Sequence, residues 1–412
     1  MRRWAVLGLL ASVWPVPSRG QAAQEPEPPR RAGLFALGPF WITPRLHLGT
    51  LGLDSNVFYT ADHRRADFIM SGGPGLEIVL PTRPLRLELA GGLDYLYFAR
   101  SAEQRRLNGD AHARLSLDSG RLQASLEEGY AQSFERPGFE VDRRVDRSQW
   151  STRAELGLRL PGRLQLRTAI SGERVQLPDG QSFLGADLTR TLERNTRRGL
   201  LGLGYRLTAK SALLLEGDLQ LDRFPNAPAR DTRSNRLQAG FELASPTRLG
   251  GRVLVGARLL RPEVEGLVPH ERLLSGEGRL DWRFSPRTRL SLVARRDASF
   301  SAFESSEALP LLIQNESELR LERALTPRLE LTLYARRLAF HTNAPVTLLA
   351  DDGTPTRVRR DDRVHEAGLT LSERVGRRFK AGVTAGYTTR SSPIADLGIS
   401  GLLLGGTLAF VP

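Results

Sequence analysis

Apolar and polar residues alternate one by one along much of this chain. Between Arg153 and Ile170, Ala154, Leu156, Leu158 and Leu160 interleave with Arg153, Glu155, Gly157 and Arg159. After Pro161-Gly162-Arg163 the pattern resumes with Leu164, Leu166, Thr168 and Ile170 against Gln165 and Arg167. A period of two belongs to a strand, since successive side chains of a strand point to opposite faces. A three-residue loop over Pro161 to Arg163 sets Leu160 opposite Leu164 and Leu158 opposite Leu166, so one face of the hairpin is hydrocarbon and the other is charged. In a soluble sandwich such a face packs on a second sheet; in an outer-membrane barrel it meets lipid while the charged face lines a wet lumen.

The spacing of the connections chooses between these. Short turns are expected at Pro81-Thr82-Arg83-Pro84, Asp118-Ser119-Gly120, Pro161-Gly162-Arg163, Thr208-Ala209-Lys210, Ser245-Pro246-Thr247, Ser285-Pro286-Arg287, Thr326-Pro327 and Gly376-Arg377. Longer polar loops fall at 59–66, 100–105, 135–146, 173–195, 225–234, 262–271, 299–314, 341–363 and 390–397, and the two kinds alternate without exception. Tight periplasmic turns opposite longer extracellular loops are the asymmetry of outer-membrane barrels. Eight turns and nine loops predict an all-β, antiparallel transmembrane barrel of 18 strands over residues 45–412, with both termini periplasmic. The weakest segments are the first strand, near 45–58, and the one near 314–323; without them the count is 16.

Aromatic residues gather at predicted strand ends. Tyr95, Tyr97, Tyr130, Trp150, Phe224, Phe340 and Tyr387 lie next to long loops, and Tyr205, Phe241, Trp282, Phe284, Phe379 and Phe410 next to short turns or the C-terminus. Two interfacial girdles are expected. The closing Leu404, Gly406, Leu408 and Phe410 resemble the C-terminal signal read by the barrel-assembly machinery, although the chain continues to Val411 and Pro412. At the other end, Arg2 and Arg3, the apolar run from Trp4 to Trp14, and Gly20-Gln21-Ala22 form a secretory signal over residues 1–22. The run is about half the roughly 20 residues a spanning helix needs. Residues 23–44 are proline-rich and read as a periplasmic extension.

The 412 residues include no cysteine, which excludes disulfides, a lipid-anchored cysteine and thiolate metal sites. The net charge is +13, and almost all of it is arginine, since Lys210 and Lys380 are the only lysines. The arginines alternate with leucines instead of forming one patch, so no nucleic-acid partner is expected; outer-membrane lipid and lipopolysaccharide are. Candidate chemistry is sparse. His47, His63, His112, His270, His341 and His365 show no metal-ligand spacing. Gly199 to Gly204 is glycine-rich but lies in an alternating segment with no helix after it. His341, near Asp351, Asp352, Asp361 and Asp362, is the best catalytic candidate, yet a solvated acidic loop explains it better. No enzyme activity and no cofactor are expected.

What remains is the charged face. Its expected pore-lining set is Arg86, Glu88, Asp94, Asp110, Arg114, Arg153, Glu155, Arg159, Arg167, Glu216, Asp218, Asp222, Arg236, Glu242, Arg258, Arg279, Asp281, Arg283, Arg295, Glu318, Arg320, Arg336 and Arg374. Both signs are present, so cross-strand pairing along the wall competes with solute contact for each arginine. The longest loops, 173–195 and 341–363, are the candidates to fold inward and narrow the pore.

A signal peptide, a short proline-rich extension, a first strand reading GLDSNVFYT with Asp54 and Asn56, and some 18 arginine-studded strands together resemble the beta-barrel porin 2-like outer-membrane proteins. The resemblance implies a Gram-negative outer-membrane barrel associated with exopolysaccharide or capsule export, beside a periplasmic polysaccharide export protein that lacks its own barrel. The reading is therefore a passive conduit for secreted polysaccharide. A diffusion porin for small solutes, and a blocked barrel acting as an enzyme or structural surface protein, are the alternatives.

Overall fold

The computed structural model describes residues 35–243, 248–264, 270–305, 309–349, 354–376, 378–394 and 397–410. The signal and most of the extension fall outside these, as do the turn at 245–247, Asp351 and Asp352.

Eighteen long strands follow one another: β1 (Phe40–Asp54), β2 (Asp67–Leu80), β3 (Leu85–Phe98), β4 (Arg106–Asp118), β5 (Leu122–Glu135), β6 (Val145–Arg159), β7 (Leu164–Gln176), β8 (Arg194–Arg206) and β9 (Ser211–Arg223) make the first half. The second half is β10 (Thr232–Leu243), β11 (Leu249–Pro262), β12 (Glu271–Ser285), β13 (Thr288–Phe300), β14 (Leu311–Ala324), β15 (Leu329–Thr342), β16 (Asp361–Val375), β17 (Phe379–Ser391) and β18 (Ile399–Phe410). Each pairs antiparallel with its sequence neighbours, and β1 pairs with β18, so the sheet closes into a barrel. Both weak segments are full strands. The barrel begins at Phe40, five residues before the expected boundary, and the short strand Phe35–Leu37 folds back on Phe40, Trp41 and Ile42.

The two-residue period is realised as two faces. Leu156, Ile170, Leu203 and Leu237 are exposed on the outside, while Arg153, Glu155, Arg167 and Arg236 point the other way and are half-buried or buried. In β1 a bulge between Leu48 and Leu51 changes the parity, so that Leu46 before it and Leu51 and Leu53 after it all face out. Only six registered pairs join β1 to β18, against twelve between β8 and β9. At the Pro161–Arg163 turn, Gly162 takes a φ of +79°, and the Leu160 N–H donates to the Leu164 oxygen at 3.1 Å. A carboxylate interrupts the outer pattern midway along β5: Glu128, on the same face as Leu126, accepts a 2.8 Å hydrogen bond from Thr152.

Trp282 stacks near Phe284 and Phe379 meets Phe410 edge-on at the turn end, and Tyr95, Trp150 and Tyr387 are exposed at the loop end. Two expected members of the upper girdle are elsewhere. Phe340 has the parity of Arg336 and Leu338, so it faces inward and is fully buried with Leu312, Leu338 and Val364. Phe224 lies just past the end of β9, buried edge-on against Phe300. Among the described residues no helix is long and apolar enough to cross a membrane; strands make the crossing.

Candidate functional site

The loops do not stand away from the barrel. Val141, Val145, Val175, Leu177, Leu188, Phe303, Val346 and Leu348, drawn from four different connections and their strand ends, share one buried apolar cluster. The connection over 177–193 contributes a one-turn helix, Leu188–Leu192, capped by the Asp187 carboxylate, and the connection over 343–360 contributes the hairpin Val346–Leu349 with Pro355–Val358. Both of the loops expected to fold inward do so.

The segment that spans the mouth is shorter than either. Residues 136–144, between β5 and β6, meet the connection between β13 and β14, which lies eight strands further round a ring of eighteen, almost diametrically opposite. Glu140 accepts from Ser301 Oγ at 2.8 Å and from the Ala302 N–H at 2.7 Å. Arg360, wholly buried, donates to the Glu140 main-chain oxygen at 3.3 Å and pairs with the equally buried Asp362. Arg390 of β17 donates to the Phe139 oxygen at 2.8 Å and pairs with Asp142, and Arg336 of β15 lies 5.2 Å from the Phe139 ring centre. On the near side, Arg136 donates to the Val57 oxygen at 2.8 Å and sits 3.6 Å over the Tyr59 ring. Each charge is desolvated, and each is held by several partners, the condition under which buried ions are tolerated.

Burial also moves the titrations of these loop groups. The Glu140 carboxyl is pushed up by burial, against the opposing pull of Arg360 and of the Ala302 and Ser301 donors. Burial lowers Arg136, brings Arg230 down to about 10, and, with Arg136 adding repulsion, brings Arg144 down to about 9.

Beneath this cap a cavity of about 260 Å³ opens between β1–β5 and β15–β18. Asp54, Asp94, Asp110 and Glu135 give it carboxylates; Asn56 and Asn108 add amides; Tyr59, Phe98, Phe134 and Tyr334 add rings; Arg144 adds one guanidinium. His47 Nε2 stands 3.3 Å from Asp94 Oδ1. Tyr334 extends across the wall over Gly368, where an added Cβ would stand 2.5 Å from its Cε1 atom. On the other side of the lumen Arg198 and Arg236 share Asp218 at 2.9 and 2.6 Å, and Arg236 and Arg258 reach Asp297 at 3.5 and 3.1 Å.

The other charged positions singled out from sequence lie on the same inner face, mostly engaged with one another. Arg86 pairs with Glu88, Arg114 with Glu127, and Arg153 and Arg167 both with Glu155. Glu216 holds Arg252, Asp222 accepts from Thr196, and Asp281 holds Arg279 and Arg289. Arg295 reaches Asp297, Arg320 pairs with Glu318, and Arg336 bridges Glu316 and Glu366. Glu242 lies opposite Arg252 in register, Arg283 opposite Arg289, and Arg374 opposite Lys380; with Arg159 they sit near the turn end. Of the His341 group, Asp351 and Asp352 lie outside the described residues; His341 lies opposite Asp361 in register on the outer parity, while Asp362 turns inward to Arg360. Gly199 to Gly204 lie within β8. Among the described residues no group of three or more acidic or histidine side chains is placed to hold a metal ion.

Residues 29–398 match the family described as Putative beta-barrel porin 2. The chain belongs to that family. This barrel porin is accordingly an outer-membrane protein, with its long loops extracellular and its tight turns periplasmic. No curated protein matches it. Among solved structures, OccK2 (OpdF) of Pseudomonas aeruginosa in complex with glucuronate aligns with a TM-score of 0.50 at 13% identity, covering 90% of this chain and 98% of that one. The siderophore receptor PirA of Acinetobacter baumannii aligns at 0.45 with 8% identity, covering 90% and 80%. The alcaligin receptor FauA of Bordetella pertussis aligns at 0.40 with 11% identity, covering 85% of this chain and 61% of its own. These likenesses concern the barrel architecture.

Proposed function

We propose that this porin is a size-selective diffusion channel for small polar solutes, reached in the outer membrane after removal of residues 1–22. The observation that carries the reading is the segment 136–144, rooted between β5 and β6 and hydrogen-bonded to the β1–β2 and β13–β14 connections above a cavity of about 260 Å³. A monosaccharide-sized or amine-bearing solute fits such a chamber, whose carboxylates, amides and rings supply hydrogen bonds and stacking faces. A conduit for secreted polysaccharide, with a periplasmic export partner, requires the whole loop cluster to leave the lumen together, so the packed mouth favours small solutes over a polymer.

Purified protein in planar bilayers and in swelling liposomes tests this. Small, stepwise conductance and swelling with monosaccharides but not with long oligosaccharides are expected. Free passage of long polysaccharide, or loss of surface polysaccharide on deleting the gene, would favour the export conduit instead; absence of any conductance would rule out both.

A further inference from the structure

The outer surface carries charge where a lipid-facing wall ordinarily carries none. Arg174 on β7, Arg197 on β8, Arg233 on β10, Arg261 on β11, Arg272 on β12 and Arg337 on β15 all lie on the exposed face within six residues of the extracellular end of their strands. Four residues nearer the midplane on the same face stand Ile170, Leu201, Leu237 and Leu333, each exposed. At about 3.4 Å per residue, and with the strands of such barrels tilted by about 40°, the guanidinium groups therefore stem from roughly 10 Å above hydrocarbon-facing side chains, at the level of the headgroups.

Two further observations say what should meet them. Arg233 and Arg261 are directly opposed in the β10–β11 register, a placement in which like charges repel unless an anion lies between them. None of the six arginines has a carboxylate partner among the described residues, whereas their neighbour Arg223 is paired with both Asp231 and Glu263. The arrangement is also one-sided. The exposed rings of the extracellular interface, Tyr95, Trp150 and Tyr387, lie on β3, β6 and β17, and the six arginines occupy the arc from β7 to β15 between them. A general cationic girdle would encircle the barrel.

We infer that the β7–β15 arc is a docking surface for the phosphate groups of lipopolysaccharide, with Arg233 and Arg261 clamping one lipid A phosphate between β10 and β11. The planar donor fork of arginine matches phosphate oxygens, and an anion between the two guanidinium groups turns their repulsion into a bridge. Acyl chains of the same lipid would lie against Ile170, Leu201 and Leu237 below. The assignment is independent of what passes through the lumen.

The test uses the full-length porin in detergent micelles, titrated with lipid A, with enzymatically dephosphorylated lipid A, and with soluble polyphosphate. Tight binding of lipid A only, undiminished by EDTA, is expected. The double variant Arg233→Ala/Arg261→Ala should lose affinity roughly thirtyfold, from about fivefold per surface arginine. Retained heat-modifiable migration on gels shows that the variant is folded; if it is not, Arg174→Ala/Arg197→Ala takes its place. Equal binding of dephosphorylated lipid A, equal binding of polyphosphate, or undiminished binding by the folded variant overturns the proposal.

Discussion

Arg360 and Glu140 are 220 positions apart in the chain and meet over the lumen, the Arg360 Nη1 donating to the Glu140 main-chain oxygen at 3.3 Å. Their contact ties the β5–β6 connection to the β15–β16 connection, and through Ser301 and Ala302 to the β13–β14 connection as well. The mouth is therefore held by a polar knot inside an apolar cluster, and each half makes the other tolerable: the apolar groups exclude water, and the ions satisfy one another.

Removing one member should release the segment. Arg360→Ala leaves Glu140 and Asp362 as buried carboxylates without their cation, a change worth about 3–5 kcal/mol against the packed mouth. Larger unitary conductance and faster proteolysis within residues 136–144 are expected, with unchanged gel mobility of the unboiled barrel. Unaltered conductance in a variant whose loop is cleaved would show that this segment is not the constriction.

The packed mouth should also respond to pH. Burial raises the Glu140 carboxyl above its ordinary range, so the packed state holds its proton more tightly than a released loop does. Below the ordinary value of about 4.3 both states are protonated and packing is strongest; as pH rises from there through the raised value, the released loop ionises first and packing weakens. Arg360, Arg230, Asp362 and Ser301 surround the group. Closed dwell times in bilayers should shorten as pH rises, and Glu140→Gln should flatten that dependence.

Gly368 exists for Tyr334. A methyl group there would stand 2.5 Å from Cε1 of the ring, so Gly368→Ala must displace the tyrosine. A loss of about 1–3 kcal/mol is expected from overpacking, read as a lower temperature for conversion to the unfolded gel form. In a Tyr334→Ala background the same substitution should cost much less, and a double-mutant cycle measures the difference.

The chamber beneath the mouth should set ion preference. Asp94→Asn with Asp110→Asn removes two of its carboxylates and leaves the volume unchanged, so the reversal potential in a salt gradient should move toward anions. Lumenal charge on the other wall, at Asp218 and its arginines, stays as it was and serves as the internal reference.

Much of the barrel was legible in the chain because alternation and turn spacing are local signals, and each strand repeats them. Eighteen strands followed from counting connections. The mouth was less legible, since loop length pointed to 173–195 and 341–363 while the crossing segment, at 136–144, is short. Its signal lay in composition: Phe139 and Val141 stand beside Glu140 and Asp142 between Arg136 and Arg144, too apolar and too charged for a solvated tip. Phe340 sits at a strand end, the place of a girdle residue, but its parity with Arg336 puts it inside. Partners such as Arg360 and Arg390 come from distant connections, and no local pattern names them.

The seam between β1 and β18 concerns how the molecule comes into being. Seventeen of its eighteen junctions join neighbours in sequence and can zip from a turn as the chain arrives. The remaining one joins His47 to Ala409 and cannot start until the last strand is delivered. With six registered pairs and a bulge, it is also the junction with the least ladder to pull it shut. Biogenesis should thus accumulate an open, curled sheet with one wet edge on β1, and the final sealing of that edge should govern how fast a new pore appears in the membrane.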